Sequence, residues 1–177
     1  MTSPRANLLL VGNDSNLRGL LIHFLALEGY KFFDADTKPA TLSLAAEIMP
    51  DVIIVDESLS DCEGLAVCQA IKSGETTRSL PVVFMTGSGQ TDLRKQASDF
   101  GVEEYLTKPP EAVELRARVR NLLRIQSLKD RLLQANREME EEAKKLAPKR
   151  GRKTRVETPA EVEETKEPAR VPALRFL

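Results

Sequence analysis

The run Val52-Ile53-Ile54-Val55 is unbroken by any polar residue and ends in Asp56. An all-aliphatic, β-branched run of this kind is a strand covered on both faces, because neither side is left for water. Its end marks where a buried sheet meets solvent, and a carboxylate stands there. Two more apolar runs end in the same way: Pro81-Val82-Val83-Phe84-Met85 stops at Thr86, and Tyr105-Leu106-Thr107 stops at Lys108. If the three strands are parallel neighbours, a carboxylate, a hydroxyl and an amine meet at their tips. Sites of open α/β sheets form outside the carboxyl ends of the strands.

Strand-like and helix-like segments alternate through the first 125 residues or so. Leu8 to Val11 is a short buried strand, broken by Gly12-Asn13-Asp14-Ser15. A helix follows with Leu17, Leu20, Leu21, Phe24 and Leu25 at helical spacing, Asp14 or Ser15 as N-cap and Gly29 as its stop. Lys31 to Ala35 predicts a second strand, and Leu42, Leu44, Ala45 and Ile48 predict the face of a second helix. Asp51 to Asp56, Pro81 to Thr86 and Glu103 to Leu106 complete the strands. Helices are expected over Gly64 to Ile71, Asp92 to Phe100 and from Glu111. Five strands alternating with five helices predict an α/β fold with a doubly wound, flavodoxin-like parallel sheet of order 2-1-3-4-5. That order sets the Gly12 to Asp14 loop beside Asp56.

The last helical pattern outruns the domain. Ile125, Leu128, Leu132, Ala135, Met139, Glu142 and Leu146 keep a 3-4 spacing. At about 1.5 Å per residue such a segment reaches roughly 33 Å, as far as the domain is wide. A helical extension over 125–147 that pairs as a short coiled-coil homodimer is the expectation. From Pro148 the composition changes to a basic, Pro- and Glu-rich tail over 148–177. Too little apolar surface is available there to offset ordering, so the tail reads as disordered. The domain proper is expected over 1–124.

Net charge is −1, with 26 Lys/Arg and 27 Asp/Glu, which excludes a polyelectrolyte. The two cysteines, Cys62 and Cys68, lack zinc-site spacing and read as free thiols. No signal core and no run of about 18 apolar residues is present, so a cytoplasmic protein without a membrane contact is expected. No glycine-rich phosphate loop follows the first strand, which argues against a nucleotide or flavin enzyme. The single His23 reads as a surface residue of the first helix.

Four stretches together resemble the receiver domain of two-component response regulators. They are Leu8 to Asp14, Pro50 to Asp56 with Gly64 eight residues on, Pro81 to Gly87, and Gly101 to Pro109. The resemblance implies that Asp56 accepts a phosphoryl group from a histidine kinase or phosphotransfer protein. It implies that Thr86 hydrogen-bonds the phosphoryl oxygens and that Lys108 pairs with one of them. It assigns Thr86 and Tyr105 to the switch, and it implies a cis Lys108–Pro109 bond that aims the lysine into the site. Catalysis of this transfer is mainly positioning and charge neutralisation. The domain would pass a signal to a downstream protein target through contacts. It would not be an enzyme beyond self-phosphorylation.

The chain departs from the pattern where receivers present two adjacent acids for Mg²⁺, since Gly12 and Asn13 stand there. The remaining metal donors would be Asn13, Asp56 and the Ser58 backbone, and Mg²⁺ affinity should fall accordingly. Asp14 comes one residue too late. Ser60, Glu63, Gly87 and Pro110 also differ from the common residues. These departures keep a second expectation open, a phosphorylation-independent pseudo-receiver scaffold. A third is DNA binding through Lys149-Arg150-Gly151-Arg152-Lys153, although a solvated linker accounts for that segment with fewer assumptions.

Overall fold

A computed structural model describes residues 4–146. The expected tail, with its basic segment, lies outside the described residues. The elements run β1 (Asn7–Val11), α1 (Ser15–Leu25), β2 (Lys31–Ala35), α2 (Lys38–Ile48), β3 (Val52–Asp56), α3 (Gly64–Ser73), β4 (Val82–Thr86), α4 (Thr91–Asp99), β5 (Glu104–Thr107) and α5 (Ala112–Leu146). All strand pairs are parallel, in the order β2-β1-β3-β4-β5. The doubly wound α/β reading is therefore correct in element type, number and order.

Strand alternation divides the core into two layers. Leu9, Val11, Ile53, Val55, Val82 and Phe84 pack toward α2, α3 and α4, where Ala45, Val67, Cys68, Ile71 and Ala97 are buried. Leu8, Leu10, Val52, Ile54, Val83 and Met85 face the opposite layer, with Leu21 and Leu25 of α1 and Leu115, Val119 and Leu122 of α5. Each fully buried aliphatic side chain contributes roughly 1.5–3 kcal/mol, so β3 and β4, with every residue buried, form the energetic centre of the sheet.

Local chemistry sets the ends. Asp14 caps α1, its Oδ1 accepting from the N–H groups of Asn16 and Leu17 at 2.9 and 3.1 Å. The α-helix ends at Leu25, short of the expected stop. A single 3₁₀ turn, Ala26–Glu28, carries the chain to Gly29, which takes φ 75°. The α2 face holds as expected at Ala45, with Leu42 and Leu44 packed against the core, and it gains Thr41. Thr41 and Ala45 are its buried residues, while Leu42, Leu44 and Ile48 are only half-buried. The Thr41 hydroxyl donates to the Thr37 carbonyl at 2.8 Å, which satisfies the polar atom and lets the side chain sit under the sheet edge.

α5 is one continuous helix of 35 residues. Arg118 pairs with Glu104 at 2.8 Å, and Arg120 pairs with Glu28, so its first half is tied to the domain by charge as well as by Leu115, Val119 and Leu122. Burial stops there. Ile125, Leu128, Leu132 and Met139 are 48 %, 54 %, 63 % and 63 % exposed. Among the described residues no helix is long and apolar enough to cross a membrane.

Candidate functional site

The register of the sheet brings the strand tips together. Asp56 lies opposite Met85, and Thr86 opposite Thr107, so Asp56, Thr86 and Lys108 come from adjacent strand ends. Asp56 and Thr86 are buried. Lys108 Nζ lies 2.7 Å from Asp56 Oδ1, and the Lys108 N–H donates to the Thr86 carbonyl at 2.9 Å. The Lys108–Pro109 bond is cis.

Two glycines let the backbone crowd this carboxylate. A β-carbon on Gly64 would stand 1.8 Å from the Asp56 carbonyl oxygen, so the N-terminus of α3 can pass β3 only without one. A β-carbon on Gly12 would stand 2.8 Å from the Asp56 β-carbon. At Gly87 the same atom would make only ordinary contact, 3.7 Å from Glu57 Oε1, so the glycine there is not required for space.

A fourth side chain completes the cluster, and sequence reasoning missed it. Glu57 Oε2 accepts from the Thr86 hydroxyl at 2.6 Å and from the Gly87 N–H at 3.0 Å. Glu57 Oε1 lies 2.6 Å from Lys108 Nζ. Burial alone would raise the Glu57 pKa, but the hydrogen bonds from Lys108, Thr86 and the Gly87 N–H outweigh it and hold the group at about 2. Lys108 shows the mirror case. Burial pushes its pKa down, and the bonds to Asp56 and Glu57 bring it above the usual lysine value. One ammonium thus bridges two carboxylates.

The other predicted residues are placed as follows. The Tyr105 hydroxyl donates to the Val102 carbonyl at 3.0 Å, and burial raises its pKa. Ser58 is exposed and bridges to Glu63. Asn13 is exposed, as is Asp14, whose carboxylate is already committed to the α1 cap.

Receiver domains bind Mg²⁺ in the active site, and the donors here can be compared with that need. Beside Asp56 lies a recess of about 10 Å³ whose lining includes Gly12, Asp14, Arg18 and Asp56. Mg²⁺ takes six oxygens at octahedral positions, and the acidic side chains on this lining are Asp14 and Asp56. Arg18, also missed from sequence, donates to the Gly12 carbonyl at 3.1 Å and pairs with Asp34 at 2.7 Å. Its guanidinium lines the recess beside Gly12. No group of three or more His, Cys, Asp or Glu side chains is arranged to hold a metal among the described residues. With Gly12 and the neutral Asn13 at the end of β1, this donor set carries less negative charge than Mg²⁺ sites usually do.

Five parallel strands in the order 2-1-3-4-5, with an acid, a hydroxyl and a lysine at the tips of the last three, are the arrangement of a receiver domain. Residues 8–120 match the response regulator receiver domain, and the chain belongs to that family. It is 35% identical over 117 residues to the DNA-binding dual master transcriptional regulator RpaA of Synechocystis, covering 66% of this chain and 48% of that protein. It is 37% identical over 121 residues to the response regulator PleD of Caulobacter vibrioides, covering 68% of this chain and 26% of PleD. The chain thus spans half or less of the length of these relatives. The receiver domain of NtrX from Brucella abortus superposes with a TM-score of 0.62 at 25% identity, covering 66% of this chain and 98% of that one. The receiver domain of a Pseudomonas aeruginosa sensor histidine kinase, solved with magnesium in its active-site cleft, shares the fold with a TM-score of 0.61 at 21% identity, over 67% of this chain and 97% of that one.

Proposed function

We propose that Asp56 is the phosphoacceptor of a response regulator that works in the cytoplasm and signals through protein contacts. The observation that carries this reading is the 2.7 Å pair between Lys108 Nζ and Asp56 Oδ1, with the Thr86 hydroxyl at the neighbouring strand tip. An Asp56 oxygen attacks the phosphorus of a phosphohistidine on a histidine kinase or phosphotransfer protein. The P–O bond forms as the P–N bond breaks, and the imidazole leaves with the electron pair and takes up a proton. Lys108 supplies the fixed positive charge that offsets the approaching phosphoryl oxygens. Thr86 donates to one of those oxygens once the group is in place, and Tyr105 reports the change to the face formed by α4, β5 and α5.

In this reading 1–124 is the receiver and 125–147 the output helix, which pairs with a second copy along its exposed apolar residues. Mg²⁺ binds weakly for want of acids at Gly12 and Asn13. Those same residues favour one other reading, a scaffold that binds partners in a fixed state without phosphorylation. Incubation with acetyl phosphate followed by intact-mass measurement decides between them. A phosphoryl adduct that is lost in Asp56→Asn supports the acceptor, and no adduct under any metal condition supports the scaffold.

A further inference from the structure

Glu57 has no place in the scheme above, yet it holds more of the donors than Asp56 does. We propose that the Glu57 carboxylate is an internal stand-in for the phosphoryl group, and that it must swing out before Asp56 can be loaded. The inference rests on the reading of Asp56 as the acceptor.

Three donors from two segments converge on this one carboxylate: the Thr86 hydroxyl and Gly87 N–H on Oε2, and Lys108 Nζ on Oε1. The hydroxyl and the ammonium are the two groups that the site would offer to phosphoryl oxygens. A carboxylate presents them with what a phosphoryl group presents, namely anionic oxygens able to accept charge-assisted hydrogen bonds. The two anions cannot share the set. A phosphoryl group brings a further charge of about −1.5 to −2, and Lys108 already divides a single positive charge between two carboxylates. Binding of one therefore requires departure of the other.

The way out is open. The Glu57 side chain is 22 % exposed, and its backbone is pinned independently, with Glu57 N–H donating to the Met85 carbonyl at 2.9 Å and Glu57 carbonyl accepting from the Gly64 N–H at 2.7 Å. Rotation of the side chain alone frees the three donors. It follows that the Thr86 hydroxyl has an anionic partner in the unloaded protein. Loading exchanges that partner for another.

Beryllofluoride, with saturating Mg²⁺, is the probe. Its binding is followed by ¹⁹F NMR in the wild type, Glu57→Ala, Glu57→Gln and Asp56→Asn. Removing the competitor should tighten binding by about ten-fold or more in Glu57→Ala, with a smaller gain in Glu57→Gln, which keeps an acceptor but loses the charge. The Gly87 amide resonance should shift in both variants before any probe is added. Equal or weaker binding in Glu57→Ala than in wild type overturns the competition while leaving Asp56 as the acceptor. No binding in wild type or either Glu57 variant, or binding that survives Asp56→Asn, overturns the acceptor reading and the competition with it. Should Glu57→Ala not fold, Glu57→Gln against wild type carries the same comparison.

Discussion

Gly64 and Asp56 are in closer backbone contact than any other side chain would permit, since a β-carbon at 64 would stand 1.8 Å from the Asp56 carbonyl oxygen. The contact sets how the loop from Glu57 to Glu63 closes over the site. Gly64→Ala should therefore cost about 2–3 kcal/mol, although alanine is the better helix former. Urea denaturation measures it; a variant as stable as wild type or more so, as helix propensity alone would give, would contradict this account of the glycine.

Acid stability should depend on Glu57. Its folded pKa of about 2 lies below the ordinary 4.5, so its contribution is fully present above 4.5 and lost as pH falls toward 2. Allowing for solvent screening of a partly exposed side chain, the contribution is about 1–2 kcal/mol. Glu57→Gln should flatten the acid limb of the stability curve in that window, as followed by thermal melts. An unchanged limb would contradict the geometry.

Lys108→Met should behave in the opposite sense. It leaves Asp56 and Glu57 as neighbouring carboxylates without a cation, which should cost roughly 2 kcal/mol at neutral pH. Protonation of Glu57 relieves that repulsion, so the deficit relative to wild type should shrink as pH falls. Melts across pH check this.

Asn13→Asp restores one acid on the side of Asp56 where receivers hold Mg²⁺. Affinity for Mg²⁺ should rise by about ten-fold or more, because charge count tunes such sites. Isothermal titration of the wild type and variant compares them; equal affinity would show that Asn13 is not what limits the site.

The exposed residues of α5 should make the chain a dimer. Leu128 and Leu132, more than half exposed, sit one turn apart on the free half of the helix. Leu128→Glu with Leu132→Glu should convert dimer to monomer in sedimentation equilibrium without lowering the melting of the receiver body.

The strand tips were legible because burial on both faces leaves an unambiguous apolar run, and such a run ends where water begins. Asp56, Thr86 and Lys108 followed from that pattern, and the order of the sheet from the alternation of five strands with five helices. Thr41 was left out of the α2 face because it is polar by type, and only the fold showed its hydroxyl bonded to its own helix. Glu57 was hidden for a different reason. Alternation along a strand sends the residue after Asp56 to the opposite side of the sheet. But β3 ends at Asp56, and the chain turns immediately afterwards, so that rule no longer applies at 57. The partners of Glu57 lie 29 to 51 residues further along the chain. Short-range periodicity thus determined which residues stand at the sheet edge. Which of them meet, and which carboxylate holds the hydroxyl and the amide, was decided only when three strands came side by side.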